Sequence, residues 1–370
     1  MTGIGIYARE LILRLPEIDP RATYMPWYLN ARRALRPWRW HRRFFPRRPN
    51  VDERWTPIPA QFFERTSLRY ELPRLEWFVR FDVLFAPNFV PPPTRSKRVV
   101  LTVHDLAFRR FPETAPQSTR RWLARLDRAI RRAVQIIVVS EATKRDVVEL
   151  YPVDPERVTA IHHGVDTERI RRADADEVQR ARRRYGIDGP YVLFLGGLEP
   201  RKNLPRLVAA HGRVADPPSL VVAGASVPWN PEGRGELERA LSELPPKARE
   251  RVVLTGYLGE RDKVAVLSGA EALVFPSLYE GFGFPVVEAM ACGIPVLTSN
   301  VSSLPEVAGD AALLVDPLDE EQIADGIRRI VEDAALRTRL VKAGRARVGR
   351  FGWDDSARRH AEVLHRAAEG

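Results

Sequence analysis

The chain has 370 residues, 44% of them hydrophobic and 29% charged, with a formal net charge of +11. That composition supplies two globular cores and excludes a disordered, collagen-like or disulfide-scaffold chain. The lone Cys292 excludes an intramolecular disulfide and a cysteine-rich zinc site, no apolar run approaches a membrane span, and Met1–Gly5 lacks the layout of a secretory signal.

In chain order, Thr2-Gly3-Ile4-Gly5 has the form of a glycine-rich loop between a strand and a helix, and Ile6–Leu15 follows as the helix. The expected first strand of such a unit has no residues here, so the pattern predicts a missing strand and a natural start further upstream. Residues 21–50 hold nine arginines and no acid. Tyr24, Trp27, Tyr28, Trp38, Trp40, Phe44 and Phe45 are interleaved with them. Residues 1–170 carry 31 Lys+Arg against 19 Asp+Glu, a balance of +12; the remainder carries 28 against 29, a balance of −1. Three readings of this segment stand side by side. It is an anionic membrane interface, a single-stranded nucleic-acid surface, or a solvated basic face over aromatic anchors.

Val83–Ala86, Val99–Val103, Gln135–Ser140 and Val158–Ile161 read as strands. Trp122, Leu123, Leu126, Ala129, Ile130 and Ala133 recur at helical spacing between two of them. His104-Asp105 follows a strand; the histidine is either a hydroxyl-binding group or a satisfied interior one. His162-His163-Gly164 reads as an interdomain turn, because adjacent strand residues point to opposite faces. Residues 165–190 read as a polar linker. Beyond it, Tyr191–Gly197, Leu220–Gly224, Arg251–Thr255, Ala272–Pro276, Ile294–Ser299 and Ala312–Asp316 are short runs that alternate with helical stretches, as in a doubly wound parallel sheet. Trp353–Glu369 reads as one amphipathic helix.

Two loops in this half carry chemistry. Glu280-Gly281-Phe282-Gly283-Phe284-Pro285 leaves a strand and opens a helix whose N-terminus favours an anion. Glu280 and Glu288 can accept bonds from sugar or ribose hydroxyls. Gly197-Leu198-Glu199-Pro200-Arg201-Lys202-Asn203 puts two cations after another strand, where open α/β sheets bind ligands. Each loop also has a plain reading, as an acidic helix start and as an exposed turn.

Together these stretches resemble the retaining glycosyltransferases of family 4. The resemblance is carried by TGIGIY, VHDL, VVSEATKRD, GVD, GLEPRKNL, LTGY, PSLYEGFGFPVVE and PEVAGDAALLVDP, in that order along the chain. It implies the GT-B architecture, two Rossmann-like α/β domains of doubly wound parallel sheet around a cleft. The expected boundaries are 1–175 for the acceptor domain, 176–350 for the nucleotide-sugar domain, and 351–370 for a helix returning to the first. It implies that Glu280 contacts the donor sugar, that Glu288 holds the ribose, and that Arg201 and Lys202 bind the diphosphate. Gly281, Phe282 and Gly283 would offer main-chain groups and Gly197 would line the donor site. Tyr257 would pack on the nucleobase, His104 would reach the donor sugar, and Gly5 would face the diphosphate.

The implied reaction moves a hexose, mannose or rhamnose in motif style, from a nucleotide-diphosphate sugar to a saccharide or polyprenyl-linked acceptor. No cofactor, metal or nucleic acid is expected. An anionic membrane would be met through residues 21–50, placing the protein in the cytoplasm, peripheral on the inner face of the membrane. A sugar-nucleotide epimerase of similar architecture and a non-enzymatic polyanion-binding protein are the alternatives.

Overall fold

The computed structural model describes residues 3–29, 47–112, 119–225 and 232–369. The chain divides into two compact units: Met1–Leu106, Gln117–Gly164 and Trp353–Gly370 form the first, Ala107–Pro116 and Val165–Gly352 the second.

In the first unit, β1 (Trp27–Leu29) and β2 (Arg54–Thr56) form a small parallel pair. Beside it stands a four-stranded parallel sheet of β3 (Leu84–Ala86), β4 (Val99–Val103), β5 (Gln135–Val138) and β6 (Val158–Ala160), in that spatial order. Every residue of β4 is buried, which is why it is apolar throughout apart from Thr102. The helix Thr119–Arg132 buries Leu126, Ala129 and Ile130, the stripe its spacing predicts. The helix Trp353–Glu369 packs Val363 and Ala367 against Val100, Ile137 and Ile161. It also lies along Gly3–Ile18, the two joined by Arg14 Nε to Asp354 Oδ1 at 2.9 Å and by Tyr7 with His360.

The second unit is built on β7 (Tyr191–Leu195), β8 (Ser219–Ala223), β9 (Val252–Gly256), β10 (Ala272–Phe275), β11 (Val296–Ser299) and β12 (Ala312–Val315), all parallel. Their order across the sheet is β12-β11-β10-β7-β8-β9. Numbered from β7, that is 3-2-1-4-5-6 read from the other edge, the doubly wound Rossmann order. β7 and β10 are neighbours whose following connections run in opposite directions along the sheet, so the loops after them diverge and leave a crevice between.

Two sequence expectations are corrected. Residues 175–185 are not linker: Ala175–Tyr185 is a helix of the second unit, and Asp174 caps it by accepting from Glu177 N at 2.7 Å. The polar face that suggested a linker is the solvent side of that helix. Gly5 lies within the helix Gly3–Ile18 and not in a loop ahead of it. His162-His163-Gly164 lies where the first unit gives way to the second, as its reading as an interdomain turn expects, and His163 is buried there, ringed by Tyr7, His104 and Trp353.

Candidate active site

The crevice beside β7 and β10 gathers the two loops. After β7 the chain turns through Glu199 into a short 3₁₀ turn, Pro200–Lys202, and then at Asn203 adopts φ 63°, the left-handed region. Asn203 pays for that conformation with its side chain, whose amide donates to Pro276 O at 3.0 Å and Pro317 O at 2.6 Å. It therefore ties the loop after β7 to the loops after β10 and β12, and makes no capping bond to the helix Leu204–Gly212. Gly224, after β8, has no room for a side chain: a Cβ there would sit 1.7 Å from Gly196 O.

After β10, the turn to the helix Phe284–Ala291 passes through Gly283 at φ 103°. A Cβ at Gly283 would come within 2.8 Å of Leu304 Cδ2, so both conformation and space call for glycine. No side chain caps this helix, and Pro285 occupies its first turn. Val286 N donates to Gly283 O at 3.0 Å within this first turn, and the end of the helix carries the positive pole of its dipole, which favours an anion. Ser303 Oγ shares its proton between Glu280 O at 2.9 Å and Phe282 O at 3.0 Å, while Glu280 N donates to Ser302 Oγ at 3.0 Å. The strand loop is held at both ends of the glutamate.

The side chains then converge. Lys202 Nζ donates to Glu280 Oε1 at 2.6 Å, and Arg201 Nη1 donates to Glu280 Oε2 at 3.0 Å and to Tyr279 O at 3.1 Å. Arg201 Nε reaches Glu199 Oε2 at 3.2 Å. Lys202 is 7% and Glu280 6% exposed, which rejects the exposed-turn reading of this loop. Burial, with Arg201 beside it, lowers the Lys202 ammonium below the usual lysine value despite Glu280. Burial would raise the Glu280 carboxyl, but Lys202 and Arg201 outweigh it and hold it below the usual carboxylate value. Lys202 Nζ also lies 5.0 Å from the centroid of the Phe275 ring. One carboxylate thus fixes two cations in place before any ligand arrives.

Glu288, one turn inside the helix, accepts from Lys263 Nζ at 2.5 Å. Tyr257 follows β9 and is 68% exposed. Gly197, Gly281 and Phe282 flank the triad in sequence, with Phe282 buried against Phe284 and Phe351. His104 and Gly5 belong to the first unit. His104 is buried, donates from Nε2 to Pro87 O at 2.8 Å, and is held below the ordinary histidine value by burial.

The chain is similar to known proteins along its length. Residues 1–169 match the family described as Glycosyltransferase Family 4, and residues 177–347 match Glycosyl transferases group 1. The chain belongs to glycosyltransferase family 4. O-antigen chain mannosyltransferase B of Escherichia coli is 29% identical to this transferase, over 96% of this chain and 93% of that one. The serotype-specific mannosyltransferase WbdA of Escherichia coli is 31% identical over 65% of this chain, which spans only 29% of that longer protein. Among solved structures, Anabaena HepE in complex with UDP and glucose superposes with a TM-score of 0.70 at 18% identity, covering 99% of this chain and 96% of that one. WaaG, a glycosyltransferase involved in lipopolysaccharide biosynthesis, superposes with a TM-score of 0.68 at 15% identity over 98% and 96%. The fold is GT-B, and the activity is that of a nucleotide-sugar glycosyltransferase. None of these relatives is an epimerase or a polyanion-binding protein.

Residues that the motifs did not single out also shape these loops. Glu199, Asn203, Ser302 and Ser303 set the two loops, and Lys263 holds Glu288. Asn203 and Glu199 flank the Arg-Lys pair, so their place was readable but not their bonds. Lys263 sits in the helix Glu260–Ser268 after β9, at the carboxyl end of the sheet; that position was its only signal.

Proposed function

We propose that this transferase moves a hexose, mannose in our reading, from a nucleoside-diphosphate sugar to a hydroxyl of a saccharide or polyprenyl-linked saccharide, with retention and without a divalent metal. The observation that carries the reading is the Arg201–Glu280–Lys202 triad at the diverging loops after β7 and β10. The mannosyl assignment is supported by the two Escherichia coli relatives.

In this reading the bond between the anomeric carbon and the diphosphate oxygen breaks, and its electron pair leaves on that oxygen. Arg201, Lys202 and the uncapped N-terminus of Phe284–Ala291 take up the developing charge. The acceptor hydroxyl adds to the same face of the sugar, and its proton passes to the departing phosphate oxygen. Glu280 holds the cations in place and meets the sugar hydroxyls. Gly197, Gly281, Phe282 and Gly283 line the donor with main-chain groups, Glu288 takes the ribose, and Tyr257 packs on the base. His104 and Gly5 are assigned to the donor by family resemblance alone.

We further propose that the acceptor is met at an anionic membrane. Residues 30–46 of the arginine-rich segment lie outside the described residues. Support comes from the neighbouring chain: Phe62, Tyr70 and Trp77 are 59%, 63% and 61% exposed, and Arg65 and Arg80 are exposed among them in sequence. Among the described residues, no helix is long and apolar enough to cross a membrane.

The test is transfer from a panel of UDP-, GDP-, ADP- and dTDP-hexoses to a synthetic saccharide acceptor, with and without EDTA. The expected product keeps the donor's anomeric configuration and forms at the same rate in EDTA. An inverted product, or activity abolished by EDTA and restored by Mg²⁺, overturns the mechanism.

A further inference from the structure

We infer that Lys263 is the positioning residue of the nucleotide site: it engages one oxygen of Glu288 and so commits the other to the ribose diol. The inference rests on the reading of Glu288 as the ribose ligand.

Lys263 is the fourth residue of the helix Glu260–Ser268, which follows β9 and the Tyr257 loop. Its Nζ spans to a different helix, Phe284–Ala291, to meet Glu288 Oε1 at 2.5 Å. Both side chains are largely enclosed, at 19% and 8% exposure. Asp262 is nearer in sequence, yet it is engaged elsewhere, accepting from Tyr185 at 2.7 Å and pairing with Arg184 at 3.2 Å. Among the described residues no second donor reaches Glu288. A carboxylate has about four acceptor positions, so Oε2 retains the capacity that a pair of vicinal hydroxyls needs.

An unpaired glutamate in so confined a place would be costly to keep charged. With Lys263 in place the carboxylate is neutralised and its rotamer is set before the nucleotide binds. Removing Lys263 then releases the carboxylate to turn, and the diol loses an aligned acceptor. The loss falls on ribose recognition and leaves the Arg201–Glu280–Lys202 triad intact.

The experiment measures binding of GDP, 2′-deoxy-GDP and 3′-deoxy-GDP by calorimetry, or of the uridine set where UDP binds tighter. The ratio of affinities within one preparation is independent of the folded fraction, so partial unfolding of a variant does not disguise the result. The wild type is expected to favour the ribonucleotide by about ten-fold or more, the worth of one hydrogen bond to a charged group. Lys263→Met and Glu288→Ala are each expected to bring that ratio to within about two-fold, and Lys263→Arg to restore most of it. A Lys263→Met protein that binds more weakly yet keeps the wild-type ratio reduces Lys263 to a structural ion pair and overturns the inference. A wild type without the preference, or a Glu288→Ala protein that keeps it, overturns the ribose reading itself.

Discussion

Lys202 and Glu280 form a buried pair in which each partner is costly without the other. Removing one side of such a pair costs about 3–5 kcal/mol, whereas replacing both with neutral groups is often close to neutral. Glu280→Gln and Lys202→Met are therefore each expected to lower the melting temperature, and the double variant to recover much of the loss. Catalysis behaves differently. Losing one preorganised donor to a developing oxyanion costs about 10²–10³ in kcat. Both single variants and the double variant are expected to show that deficit in steady-state assays, and near-wild-type turnover in either single variant would remove the triad from the mechanism. The pH profile supplies a second test. Burial lowers the Lys202 pKa, and only the charged form serves a departing diphosphate. Activity is therefore retained at lower pH and lost as pH rises through a value below that of an ordinary lysine. In Lys202→Arg the residual activity should lose this alkaline limb, because a guanidinium stays charged.

Among the elements, the helices Gly3–Ile18 and Trp353–Glu369 meet through a polar chain whose protons are fixed by its last member. Ser356 O can only accept, so His360 carries its proton on Nδ1, at 2.6 Å from that oxygen. Nε2 then accepts from Tyr7 at 2.7 Å, and Tyr7 lies 2.9 Å from Thr102 Oγ1. Burial pushes His360 down to about 4 and also lowers His104 and His163. The unfolded chain takes up these protons near the ordinary histidine value while the folded chain does not. Stability is thus full above that value and is lost as pH falls toward 4, by about 3 kcal/mol from His360 alone. Urea titrations at pH 7.5 and pH 5 should show the drop, and His360→Phe, though less stable at neutral pH, should show a shallower one. The strands of both parallel sheets were legible because residues buried on both faces leave a continuous apolar run, as in Val99–Val103 and Tyr191–Leu195. The site loops were legible because glycine, paired cations and paired carboxylates occupy the ends of those strands. The parallel pair β1 and β2 was not, since three residues each among prolines and arginines give no period to detect. Lys263 was hidden for another reason: its partner is 25 positions away on another helix, and only the fold brings the two together.

For the whole molecule, the excess charge and four of the five exposed large aromatics among the described residues fall on the same half of the chain, Tyr257 being the exception. Residues 1–170 carry a balance of +12, while the rest, which holds the triad, is near neutral at −1. The excess is therefore separate in sequence from the half that holds the triad. Phe62, Tyr70 and Trp77 are large apolar groups left in water, and such groups beside arginines suit the boundary of an anionic bilayer. Each basic residue near such a surface contributes about 1 kcal/mol, screened over a length of about 10 Å at 0.1 M salt. The protein is expected to sediment with phosphatidylserine-containing vesicles at low salt, to leave them at high salt, and to ignore phosphatidylcholine. Arg80→Ala should weaken that partition about five-fold, the equivalent of one such charge, and Trp77→Ala should weaken it even where salt has screened the arginines. Transfer to a short water-soluble acceptor should be unchanged in both variants, while transfer to an acceptor anchored in the vesicle should fall with the partition. Equal binding to neutral vesicles, or equal loss with both acceptors, would detach this face from the membrane and leave its charge to another partner.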